Sequence, residues 1–161
     1  MKFNAKKITK IAVIAALYAV ITIGLAPISY GNIQVRISEA LTLLPFFLGI
    51  PAAIGLWIGC IFANYFGGFG VIDIVLGAGL TLFAGLFTAR AKNLYIGAIY
   101  PVVFNAFGVA FILYYTLKLP YWLTVLQVGI GEFVSVFIVG IMLMKILKKY
   151  DFFKGVNNDR D

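Results

Sequence analysis

Tyr30-Gly31-Asn32-Ile33-Gln34-Val35-Arg36-Ile37-Ser38-Glu39-Ala40-Leu41-Thr42 sets an arginine, a glutamate and two amides between long apolar segments. In water this would be an ordinary loop. Beside helices that otherwise read as membrane spans, each unpaired polar group is costly, and charges placed there point to a function. The stretch is expected to help cradle a small polar solute.

The surrounding chain supplies the membrane. Of 161 residues, 63% are hydrophobic and 12% charged, with a mean hydropathy of +1.03. A soluble domain of this size has too much surface to cover with so few polar side chains. Leu94 to Thr116 carries no charge and is long enough to cross a hydrocarbon core about 30 Å thick. The fold class expected is an all-α integral membrane protein. Lysines before the first apolar helix imitate a signal peptide, but the small-residue cleavage pattern is weak and more membrane follows, so that helix is expected to stay. The net charge of +7 comes from basic residues at helix ends and does not imply nucleic acid. With no histidine and a single cysteine, Cys60, neither an internal disulfide nor a Cys/His zinc site can form. Cys60 reads as a small packing residue.

Six transmembrane helices are expected, at about 8–26, 39–50, 51–67, 71–89, 94–117 and 120–148, in a single domain spanning 1–161 with a basic tail from 149 to 161. Gly49-Ile50-Pro51 argues for a break in the long apolar run, since glycine ends helices and proline suits a first turn. Six spans put both termini and the Arg90-Ala91-Lys92 connection on one side. Lys2, Lys6, Lys7, Lys10, Arg90, Lys92, Lys145, Lys148, Lys149, Lys154 and Arg160 then face the cytoplasm, leaving only Arg36 and Lys118 of the 13 basic residues outside, as the positive-inside rule asks. The second span is short: Ala40 to Ile50 rises only about 16 Å as a helix. Its polar approach is therefore drawn into the bundle. Tyr30, Tyr65, Tyr114, Tyr115, Tyr121 and Trp122 fit an interfacial belt at the outer end.

Glu39, Asp73 and Glu132 are the acidic residues within or beside spans. With Gln34, Arg36, Asn64, Asn105 and Gln127 they are the candidate substrate-binding residues, expected at one depth around an outward-facing pocket. Glu132 is the first choice for paired ligand donors and Asp73 the next. Plainer roles stand beside these. Asp73 would cap its helix, Arg36 and Glu39 would pair with each other three residues apart, and Asn105 would satisfy backbone freed by Pro101. Small residues form stripes at Gly77, Thr81, Gly85 and Ala89, and at Ala12, Ala15, Ala16 and Ala19. Either stripe packs within the chain, or the first-helix stripe docks a partner. No phosphate loop, Ser–His pair or H-E-x-x-H motif occurs, so neither an ATPase nor a familiar hydrolase is expected.

The string from Tyr30 to Pro45 closely resembles the signature of the QueT family, substrate-binding S components of energy-coupling factor (ECF) transporters assigned to queuosine precursors. Asn64-Tyr65-Phe66-Gly67-Gly68 and Asp73-Ile74-Val75-Leu76-Gly77 add to the likeness. The resemblance implies an S-component-like bundle in a prokaryotic cell membrane with both termini cytoplasmic. It implies a 7-deazaguanine ligand, such as 7-aminomethyl-7-deazaguanine or queuine, with no cofactor and no enzymatic activity. Its partners would be a T component and two cytoplasmic ATPase subunits, docked through Ala12-x-x-x-Ala16 and Ala15-x-x-x-Ala19. The alternatives left open are an S component for another vitamin-like solute, a stand-alone channel or secondary transporter, and an intramembrane enzyme using Glu39, Asp73 or Glu132 as acid or base.

Overall fold

The computed structural model describes residues 4–31, 35–68 and 70–153. Helix α1 (Ala5–Gly24) opens on Asn4, whose side chain accepts from the Lys7 N–H at 2.9 Å, and a single turn, α2 (Ala26–Ser29), follows it. Next comes α3 (Ile37–Leu48), seven residues of 3₁₀ helix continued by five of α-helix. It stops at Gly49, whose φ of 70° and ψ of −157° belong to a region open essentially to glycine alone. Helix α4 (Ile50–Gly67) begins there with Pro51 in its first turn and ends at left-handed Gly68. Then come α5 (Asp73–Thr88), α6 (Leu94–Leu117) and α7 (Tyr121–Lys149). The first turn of α5, Asp73–Gly77, and the middle of α7, Phe133–Gly140, are π-helical.

The expected six spans are corrected to four. Among the described residues only α1, α4, α6 and α7 are long and apolar enough to cross a membrane. The physical reason is rise. Seven 3₁₀ and five α residues reach about 21 Å, and the five π and eleven α residues of α5 about 24 Å, against a core of about 30 Å. Both are short apolar helices packed within the bundle. The chain is an all-α, largely membrane-spanning bundle with two short members.

Its exterior is rich in large apolar side chains, and its interior holds polar ones among an apolar core. Large side chains such as Phe62, Phe83, Phe111, Leu126 and Met142 are exposed, while Thr22, Ser38, Asn64, Thr81, Asn105 and Ser135 are buried. That distribution suits lipid outside and polar groups satisfied within. Helices α1 and α4 run side by side at very close range. A Cβ on Gly59 would lie 2.7 Å from the Ala15 carbonyl oxygen and 2.9 Å from the Tyr18 Cβ, and one on Gly55 2.9 Å from the Ile11 carbonyl oxygen. Such proximity is the usual basis of helix association where lipid provides no hydrophobic drive. The stripe on α5 does the same work against α4: Gly85 meets Ala53, and the Thr81 hydroxyl reaches the Cys60 sulfur at 3.4 Å.

Pro101 removes one N–H from α6 and would orphan the Gly97 carbonyl four residues earlier. Thr88 of α5 donates to that carbonyl at 2.9 Å. Asn105 therefore does not have to satisfy that carbonyl and bonds Glu132 instead.

Gly59→Val is expected to force α1 and α4 apart, lowering stability by about 1–3 kcal/mol. Gly79→Ala, where an added Cβ meets nothing within 4 Å, should leave Tm unchanged or higher. Thermal unfolding of the two variants in detergent checks the contrast.

Candidate functional site

The polar groups singled out in the sequence converge inside the bundle in two clusters. The first is built by the end of α4, the start of α5 and the approach to α3. Arg36, 7% exposed, donates from Nη1 to Asn64 Oδ1 at 3.1 Å and from Nε to the Ser29 carbonyl at 3.5 Å. Its guanidinium carbon lies 5.6 Å from the centroid of the Tyr30 ring. Tyr30 is fastened in turn by its hydroxyl, which donates to the Ala63 carbonyl at 2.5 Å. Gly67 leaves room for this ring, since a Cβ there would sit 2.8 Å from it. Asn64 spends its amide nitrogen on the backbone carbonyl of Asp73 at 2.9 Å. Gly77 clears the space beside both, because a Cβ would lie 2.9 Å from Asn64 Nδ2 and 3.1 Å from Asp73 Oδ1.

The second cluster lies between α1, α3, α6 and α7. Glu39, 1% exposed, accepts a short hydrogen bond from the Tyr18 hydroxyl. Glu132 accepts from Asn105 Nδ2 at 3.0 Å, and Asn105 faces Glu39 as well. Glu39 and Glu132 are close enough to feel each other's charge. Thr22 and Ser38 share a hydrogen bond of 2.6 Å beside them, tying α1 to α3.

Several plainer roles fall away. Among the described residues Arg36 and Glu39 do not form an ion pair; each turns to a different helix. No N–H at the start of α5 bonds the Asp73 carboxylate among those residues, so it does not act as a cap. One oxygen of each carboxylate, Glu39 Oε2, Asp73 Oδ2 and Glu132 Oε2, is buried without a hydrogen-bond partner, as are the hydroxyls of Ser29 and Ser135. Buried acceptors are normally paired. Three carboxylate oxygens without a partner thus lie inside one bundle.

Gln127 is half-buried on α7 without a hydrogen bond to either cluster among the described residues, and Gln34 lies outside those residues. The alanines of α1 divide: Ala15 and Ala19 are buried, whereas Ala12 and Ala16 face outward. An apolar groove of about 550 Å³ opens on that helix as well, between Val13 and Leu17 of α1, Leu44 of α3 and Leu147 of α7. Tyr18 was missed in the sequence. Its signal was the inward spacing of Ala15, Tyr18, Ala19 and Thr22, which a search for charged residues passes over. The π-helical turns were missed too. Asp73 begins one and Glu132 immediately precedes the other, and such turns recur at functional sites.

Comparison with known proteins bears on this arrangement. The QueT transporter family matches residues 8–149. The queuosine precursor transporter QueT of Lactococcus lactis subsp. cremoris (strain MG1363) is 33% identical over 166 aligned positions, covering 93% of this chain and 97% of that protein. No solved structure matches. The chain belongs to the QueT transporter family.

Asn64→Leu removes the acceptor that holds Arg36 and the donor that holds the Asp73 carbonyl while keeping the volume. Stranding a buried guanidinium and a carbonyl costs about 1–3 kcal/mol for each group. The melting temperature in detergent is expected to fall clearly, and further than in Asn64→Asp, which keeps an acceptor facing Arg36.

Proposed function

We propose that this QueT-family chain is the solute-binding S component of an ECF-type importer. It would capture a queuosine precursor, a 7-deazaguanine such as 7-aminomethyl-7-deazaguanine or queuine, and pass it inward with a T component and two ATPase subunits. The observation that carries the reading is the set of three buried carboxylates, each with an unpaired oxygen, in a chain whose Lactococcus relative is named for a queuosine precursor. A 7-deazaguanine presents a ring N–H and an amino group on one edge and a carbonyl beside them. Asp73 is suited to accept the two donors and Arg36 to meet the carbonyl. The two stand in one cluster, joined through Asn64. Aromatic side chains such as Tyr30 offer a stacking face. Glu39, Asn105 and Glu132 take the remainder of the solute.

The chain lies in a prokaryotic cell membrane with its basic end, carrying Lys6, Lys7, Lys10, Arg90, Lys92, Lys148 and Lys149, towards the cytoplasm. No phosphate loop occurs in the sequence, which agrees with power supplied by separate ATPases. Docking to the T component falls to the outward pair Ala12 and Ala16; Ala15 and Ala19 support that face from within by holding α1 against α4.

The test of the binding reading is a calorimetric titration of the purified chain with 7-aminomethyl-7-deazaguanine, guanine and riboflavin. Tight binding of the first alone is expected, and Asp73→Asn should weaken it at least about tenfold, the consequence of setting donor against donor. Binding of riboflavin in preference to the deazaguanine overturns the substrate.

Ala16→Trp should block co-purification with the T component and leave titration with the ligand unchanged. Ala15→Trp, by contrast, should unfold the α1–α4 packing and lose both. Loss of ligand binding in Ala16→Trp with intact assembly would reverse the assignment of the face.

A further inference from the structure

The two clusters differ in how they are bonded to the one buried cation. Arg36 bonds Asn64, which bonds the Asp73 backbone, and the Arg36 and Asp73 charges attract each other. Arg36 also attracts Glu39 and Glu132, so one cation faces three buried carboxylates. Among the described residues no lysine or arginine nitrogen approaches either within ion-pair distance; their bonded neighbours are a phenol and an amide. The titratable and charged groups around the pair are Tyr18 of α1, Arg36 before α3, and Cys60 of α4, which stands behind Tyr18. Asn105 of α6 stands between the two acids. Glu39 is 1% and Glu132 4% exposed. One guanidinium shared among three carboxylates leaves an excess of negative charge, and two like charges at this depth favour sharing a proton.

We propose that Glu39 and Glu132 form a cation seat, which holds a proton in the empty protein and gives it up when an alkylammonium group of the solute enters. This rests on the reading of the chain as a 7-deazaguanine binder and adds which member of that class it selects. An ammonium carries three donors, two of which match the unpaired Oε2 of Glu39 and the unpaired Oε2 of Glu132. The exchange balances in charge: one proton leaves to solvent as one cation arrives. The ring edge meanwhile lies towards Asp73 and Arg36. A 7-deazaguanine with a neutral substituent finds the same ring contacts but nothing to displace the proton.

The sign of the pH effect follows. Because binding expels a proton, affinity for the cationic compound rises with pH, by up to about tenfold per unit where the empty pair is fully protonated. From about pH 6 to about pH 8 the solute's own ammonium stays charged. The experiment is calorimetry of the full chain with 7-aminomethyl-7-deazaguanine and with 7-cyano-7-deazaguanine. Each is run in two buffers of different ionisation enthalpy at several pH values. About one proton released per aminomethyl ligand is expected, none for the cyano compound, and at least about tenfold tighter binding of the former. Glu132→Gln, with Glu39→Gln as a second variant should the first not fold, should abolish the release and flatten the pH profile. Aminomethyl binding without proton release, or equal affinity for both compounds, overturns the cation seat and leaves the binding reading standing. Binding of neither compound overturns both.

Discussion

Glu39 sits with 1% of its surface exposed in a helix too short to cross a bilayer, so its carboxylate must find its donors inside the protein. In lipid an unmatched charge has no water to fall back on. The Tyr18 hydroxyl meets one oxygen, and the position of Tyr18 depends on how closely α1 can lie against α4. That distance is set at Gly59, where no side chain intervenes and the Ala15 carbonyl and the Tyr18 Cβ press directly on the neighbouring backbone. The buried acid and the glycine contact thus form one constraint. Widening the α1–α4 interface removes the donor from the carboxylate.

The same economy recurs wherever the helices are irregular. Pro101 frees a carbonyl, and the Thr88 hydroxyl of the next helix takes it. Asn105 is left to hold Glu132. The π-helical turns that begin at Asp73 and follow Glu132 shift the register of side chains on their helices, and both flank an acid of the site. Gly77 completes the arrangement by leaving Asn64 and the Asp73 carboxylate the space they occupy. Departures from regular helix therefore gather around the polar interior, while the lipid-facing surface is made of large apolar side chains.

In the proposed function, separation of the interior into two clusters would give the binding chemistry its direction. Arg36 supplies a fixed cation beside Asp73, an arrangement that can answer both acceptor and donors of a heterocyclic edge. The pair of glutamates feels the same cation without an ion pair to it, and in the proposed function would receive a second one. A solute with a flat, hydrogen-bonding edge at one end and a positive group at the other would satisfy both at once.

Much of this was legible in the sequence. Composition and uncharged runs determined an all-α membrane protein, and Gly49-Ile50-Pro51 marked the break between α3 and α4. Arg36, Glu39, Asn64, Asp73, Asn105 and Glu132 stood out because polar side chains are rare in apolar helices. The number of full-length spans was not legible, because hydropathy measures how apolar a segment is and not its rise; the 3₁₀ turns of α3 and the short α5 were counted as crossings. Nor could spacing along the chain foretell partners. Arg36 and Glu39 are near in sequence yet bond to different helices, and the alanine stripe of α1 divides into an inward and an outward pair. Those outcomes depend on which face of each helix its neighbours cover, and only tertiary packing decides that.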